Sequence, residues 1–118
     1  MDAAQSVVHS KLDVKKMDCD FLCFSGHKIG ADTGIGVMYI KNPDAWMVDK
    51  FGGGMVNRIM DKKIVLNTSP EKFEAGTLPI TQIVALPQAI EYLNQWDGGR
   101  DLIRFMYDEL SKLENIKV

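Results

Sequence analysis

A short apolar run, Phe21-Leu22-Cys23-Phe24, stops at Ser25-Gly26-His27-Lys28, and a second, Ile35 to Ile40, begins only after a glycine-punctuated stretch. This pairing constrains the fold most, because two strands must then flank a loop carrying a hydroxyl, an imidazole and an amine within four positions. The near-continuous apolar segment from Cys19 to Phe24, broken only by Asp20, suits a strand buried on both faces, as in parallel sheets. A loop of this composition at a sheet end suggests an anion site beside an amine nucleophile. A lysine becomes nucleophilic only where burial or a nearby cation frees its amine. Taken alone, Lys28 reads far more readily as a solvated charge than as a catalyst, since lysines are mostly exposed.

Composition narrows the function classes. With 118 residues the chain holds one domain at most. Its 14 basic and 16 acidic residues give a net charge of −2 without a basic stripe, which argues against a nucleic-acid binder. No apolar segment approaches the roughly 20 residues that span a bilayer, and Met1-Asp2-Ala3-Ala4-Gln5 has neither part of a secretory leader. On an extended strand Cys19 and Cys23 stand about 13 Å apart at ~3.3 Å per residue. That is too far for a disulfide, and their spacing is no zinc signature. Buried, reduced thiols and a cytoplasmic location are therefore expected.

Along the chain, Asp13 is placed to cap a helical turn over Val14 to Met17. Gly36 to Ile40 reads as a strand, and Asn42-Pro43-Asp44 opens a short helix over Ala45 to Lys50. Gly52-Gly53-Gly54 is a strong breaker. Val56 to Asn67 is ambiguous, with a short strand at Lys63-Ile64-Val65-Leu66. A helix is predicted from Thr81 to Trp96, with Ile83, Val84, Leu86, Ala89, Ile90 and Leu93 on its apolar stripe and a kink at Pro87. Asp97-Gly98-Gly99 ends it. A second amphipathic helix covers Arg100 to Leu113, with Leu102, Ile103, Met106, Leu110 and Leu113 inward.

Four segments in this order, Asp2-Ala3-Ala4-Gln5, Ser25-Gly26-His27-Lys28, Thr33-Gly34-Ile35-Gly36 and Phe73-Glu74-Ala75-Gly76-Thr77, resemble pyridoxal-phosphate enzymes of the class V aminotransferase group. Within it the chain is most similar to cysteine desulfurases and selenocysteine lyases of the kind used in iron–sulfur cluster assembly. Jointly the four are specific; singly they are ordinary turn and loop residues. The resemblance implies an α/β fold, part of the fold-type-I large domain, with short, mostly parallel strands and flanking helices. Residues 1–113 would be a C-terminal portion of that cofactor-binding domain, and 114–118 the start of a small domain. It further implies that Lys28 binds pyridoxal 5'-phosphate covalently and shuttles the substrate's α-proton. Asp2 would hold the ring nitrogen's proton, which deepens the ring as an electron sink. Gln5 would bond the phenolic oxygen, and Ser25 and His27 the phosphate. Thr77 would reach the phosphate in a neighbouring subunit, making a homodimer with shared sites.

The implied reaction takes sulfur from L-cysteine, or a related amino acid, leaving alanine and a persulfide for a sulfur-acceptor protein. The chain departs from the family's pattern at Ile29-Gly30-Ala31-Asp32, where an aromatic and a proline are usual, and at Gly52-Gly53-Gly54-Met55, which lacks a residue before the methionine. Cys19 and Cys23 do not match the persulfide cysteine, and Arg58, Arg100 and Arg104 do not match the carboxylate-binding arginine. The chain is thus expected to be a piece of such an enzyme, inactive by itself and lacking an upstream strand to position Asp2. The alternatives are a non-catalytic dimerisation or scaffold module with methionine-rich faces (Met55, Met60, Met106), or a related class V aminotransferase or lyase.

Overall fold

The length of the segment between the two apolar runs dictates how they pair. In the computed structural model, which describes residues 1–96 and 99–117, β1 (Phe21–Ser25) and β2 (Gly36–Ile40) are joined by ten residues with a single 3₁₀ turn, Gly26–Ile29. A parallel return needs a crossover of a dozen residues or more, usually a helix. The strands accordingly pair antiparallel, from Phe21 opposite Ile40 to Ser25 opposite Gly36. The mostly parallel arrangement expected from the sequence is corrected on this point, while the short-stranded α/β character stands. Among the described residues parallel pairing is confined to the other edge of β1, where Asp2 bridges Cys23. There the Cys23 N–H donates to the Met1 carbonyl at 3.1 Å and the Ala3 N–H to the Cys23 carbonyl at 2.8 Å. The backbone on either side of Asp2 thus docks on β1.

Two short helices, α1 (Ser6–His9) and α2 (Val14–Met17), connect this edge to β1. The Asp13 carboxylate accepts from the Lys15 and Lys16 amides, the expected cap. Asp18 follows in the left-handed region (φ 49°) and pairs with Lys41, just past the end of β2, at 2.6 Å. The Lys41 ammonium holds the Asp18 carboxyl below its ordinary value, and the same contact raises Lys41.

Beyond β2 the expected helix over 45–50 does not form. A 3₁₀ turn at Pro43–Ala45 gives way to extended backbone at Trp46 (ψ 136°), whose ring packs on Phe21 with centroids 4.7 Å apart. The ambiguous region resolves into a hairpin, β3 (Val56–Met60) and β4 (Lys63–Leu66). Its turn residues Asp61 and Lys62 both have positive φ, 45° and 69°, the sense that matches the twist of paired strands.

The long helix α3 (Ile80–Gln95) starts one residue before, and ends one residue before, the predicted span. Only Ala89 of its stripe is buried, and Val84 stays 71% exposed. Of the predicted stop at 97–99, Asp97 and Gly98 lie outside the described residues, as does Val118. α4 (Arg100–Leu110) is shorter than predicted. Its supposed inward face points to solvent, with Leu102, Ile103 and Met106 all more than half exposed.

The described core is small: Ala3, Leu22, Ile29, Met55 and Ala89. The radius of gyration is 20.1 Å, against about 13–14 Å for a compact domain of this length. A groove of about 890 Å³ accordingly lies open between α1, the Leu22–Phe24–Val37–Tyr39 face of the sheet, and the Ile90–Trp96 end of α3. The expected burial of β1 on both faces is likewise corrected: Leu22 is buried but Cys23 is exposed. Among the described residues no helix is long and apolar enough to cross a membrane.

Candidate functional site

Strand alternation sorts the side chains of β1 onto two faces. Leu22 and Phe24 line the apolar groove. Phe21, Cys23 and Ser25 take the opposite face, across the ladder from Ile40, Met38 and Gly36. Because Asp2 is the bridge partner of Cys23, its carboxylate shares this second face. Ser25 stands two residues further along the same strand, about 7 Å on at ~3.3 Å per residue. One Asp2 oxygen accepts from the Ala4 amide at 2.9 Å.

Ser25 then leads directly into the 3₁₀ turn that exposes His27 and Lys28. Gly26 is obligatory there for packing. A Cβ at this buried position would stand 2.7 Å from Ile35 Cγ2 and 3.1 Å from the Ile35 carbonyl oxygen. The Gly26 N–H donates to that same carbonyl at 2.8 Å, and the Ala31 N–H returns to the Gly26 carbonyl at 3.0 Å. Gly30 closes the turn in the left-handed conformation, φ 87°. Ile35, the residue just before β2, thus clips the turn in place. Gln5 is the residue before α1, and α1 rests against the same turn.

Asp2, Gln5, Ser25, His27 and Lys28 are therefore brought to one end of the small sheet. Among the described residues the side chains of Ser25, His27 and Lys28 form no hydrogen bond or ion pair. A hydroxyl, an imidazole and an ammonium held together and unspent, with a carboxylate alongside, fit a ligand that carries both a phosphate and a protonated ring nitrogen. Nearby, the buried Ser6 hydroxyl has no partner. The groove lies on the reverse side of the sheet and contains none of these five residues.

Thr77 is built into another part of the chain. Ile90 lines the groove together with Ile29 of the turn, and about 15 Å of helix, at ~1.5 Å per residue, separates Ile90 from Ile80 at the start of α3. Thr77 lies before that start, beside Gly76, whose N–H donates to the Gly53 carbonyl at 2.8 Å. The two cysteines are free, Cys23 exposed and Cys19 half-buried, which corrects the expected burial of both. The methionine faces are corrected in part: Met55 is 1% exposed, whereas Met60 and Met106 are open to solvent. The sequence reading passed over Asn67, which ties the glycine turn to the hairpin. Its signal was a polar amide placed directly after a strand.

The family model described as aminotransferase class-V matches residues 1–118. The chain is similar to a probable cysteine desulfurase of Borreliella burgdorferi, 40% identical over 129 residues, covering 99% of this chain and 31% of the relative. Among solved structures it is similar to the apo cysteine desulfurase of Thermococcus onnurineus NA1, with TM-score 0.82 and 37% identity over 96% of this chain and 30% of that one. A crystal structure of the cysteine desulfurase CsdA (S-sulfonic acid) from Escherichia coli matches with TM-score 0.78 and 36% identity, covering 95% of this chain and 30% of that one. The chain thus spans about 31% of the length of the curated relative it matches.

Proposed function

The chain belongs to the class V aminotransferase family, and on that premise we propose that it supplies the cofactor-anchoring part of a cysteine desulfurase. The observation that carries this reading is the docking of Asp2 beside Cys23, on the strand that runs into Ser25-Gly26-His27-Lys28. Bound pyridoxal 5'-phosphate would supply an electron sink for a substrate carbanion. Lys28 would hold the cofactor and carry the α-proton on its Nζ. Asp2 would keep a proton on the ring nitrogen, its carboxylate oriented by the Ala4 amide. Gln5 would donate to the phenolic oxygen. Ser25 and His27 would hold the phosphate, with the turn fixed by its clip to Ile35.

Thr77 serves the phosphate of a second subunit's cofactor. Its separation from the other five residues along α3 supports a homodimer with shared sites. The substrate in this reading is L-cysteine, converted to alanine, with sulfur passed to a cysteine other than Cys19 and Cys23 and then to an acceptor protein. Residues 1–113 form a C-terminal portion of the large domain and 114–118 lead into the small one; the location is cytoplasmic.

Titration with pyridoxal 5'-phosphate, borohydride reduction and peptide mapping test the assignment. Label on Lys28, lost in Lys28→Ala together with the cofactor's shifted absorbance, is expected. An unchanged spectrum in Lys28→Ala, or label scattered over many lysines, refutes it. A non-catalytic dimerisation module is the second reading, favoured by the open apolar face of α4, where Leu102, Ile103, Phe105, Met106 and Tyr107 are all more than half exposed. A dimer that binds no cofactor would select it.

A further inference from the structure

We propose that Asn67 is a positioning residue for Thr77, acting through the Gly52-Gly53-Gly54 turn; this rests on the reading of Thr77 as a phosphate ligand. Thr77 and its neighbours Glu74, Ala75 and Gly76 are all exposed. The backbone of this loop is anchored where the Gly76 N–H donates to the Gly53 carbonyl at 2.8 Å. Beside it Ala75 lies so close that a Cβ on Gly52 would stand 2.9 Å from Ala75 Cβ. The loop is therefore only as well placed as the glycine turn. That turn is intrinsically loose: three successive glycines, with Gly54 at φ 85°.

Asn67 removes the looseness. Its N–H donates to the Met55 carbonyl at 2.8 Å, and its Nδ2 donates to the Gly54 carbonyl at 2.8 Å. Its Oδ1 accepts from Asn57 Nδ2 at 3.0 Å. The two side-chain bonds agree on the orientation of the amide, since only the nitrogen end can meet a carbonyl. The three bonds bracket Met55, the largest fully buried side chain among the described residues. Asn57 reaches Asn67 because the β3–β4 register shifts between Val56 and Arg58, leaving Asn57 as the extra residue of a bulge. The backbone ladder from Arg58 opposite Val65 to Met60 opposite Lys63 does not involve the Asn67 side chain. The amide thus joins the glycine turn to the bulge of β3 without entering the ladder.

Amide hydrogen exchange on Asn67→Ala and on the milder Asn57→Ala tests the hold. In Asn67→Ala the Gly76 amide should exchange about tenfold faster, from the loss of two side-chain bonds, with a smaller rise in Asn57→Ala. The ladder amides of β3 and β4 should stay within about twofold of the wild type. Pyridoxal 5'-phosphate and pyridoxal then serve as paired probes. Asn67→Ala should weaken the phosphorylated form several-fold and leave pyridoxal unchanged, and Asn67→Ala/Thr77→Val should be no worse than Thr77→Val. Unchanged Gly76 exchange, equal opening of the ladder, equal loss for pyridoxal, or additive losses in the double variant each overturn the proposal. A wild type that binds no pyridoxal 5'-phosphate while Gly76 exchange responds as stated refutes the cofactor reading, and with it the role given to Thr77, but not the hold of Asn67 on the turn.

Discussion

Replacing Gly26 by alanine tests whether packing at one atom fixes the turn that carries His27 and Lys28. The added Cβ would lie 2.7 Å from Ile35 Cγ2, 3.1 Å from the Ile35 carbonyl oxygen and 3.4 Å from Ala31 Cβ. The carbonyl cannot retreat cheaply, because it accepts the Gly26 N–H at 2.8 Å. No positive φ is involved, so the cost is overpacking alone, about 2 kcal/mol. For 118 residues the unfolding entropy is about 0.25 kcal/mol/K, so Gly26→Ala should lower Tm by about 8 °C. Gly53→Ala is the internal control. Its Cβ would meet nothing within 4 Å, so stability should hold or rise by about 0.4–1 kcal/mol. Thermal and urea unfolding of both variants give the comparison. Adding Ile35→Ala removes the 2.7 Å clash but not the one with the carbonyl, so the double variant should fall short of the summed losses. Equal stability of the two alanine variants would refute the steric argument outright.

Ser6→Ala should be neutral or stabilising by up to about 1 kcal/mol, read by urea unfolding, because the hydroxyl it removes is buried without a partner. A loss above that would mean the hydroxyl is used. For Asp18–Lys41 the two signs differ. Asp18, lowered by Lys41, contributes stability above its ordinary value of 3.8 and loses it as pH falls through the lower folded-state value. Lys41, raised by Asp18, contributes fully below 10.5 and loses that as pH rises through its raised value. Asp18→Asn should therefore flatten the urea midpoint against pH at both extremes, and identical curves for the two proteins would contradict the pairing.

The sequence was most legible where a local rule acts alone. β2 has the predicted bounds, β4 coincides with Lys63-Ile64-Val65-Leu66, and Asp13 caps α2 as its side chain dictates. It was least legible where partners decide. The apolar run in β1 implied two buried faces, but burial depends on what covers a strand, and of its five residues only Leu22 is buried. β3 was hidden because all five of its residues are exposed and carry no alternation of burial. Trp46 left its predicted helix for Phe21, a contact 25 residues away that no local propensity encodes. At the site, Ser25, His27 and Lys28 were readable as a contiguous motif, whereas Asn67 entered only through three bonds that require the folded turn.

The single bridge between Asp2 and Cys23 makes the orientation of the carboxylate a matter of odd and even. Moving the 1–3 segment by one residue along β1 would set Ala3 opposite Cys23 and turn Asp2 toward the groove, among Leu22 and Phe24. The stretch between α1 and β1 is then free to lengthen or shorten without disturbing the site, provided that Gln5 keeps its place before α1 and the parity of this one contact is kept. Evolution can rewrite the excursion through α2, but not by sliding its anchor.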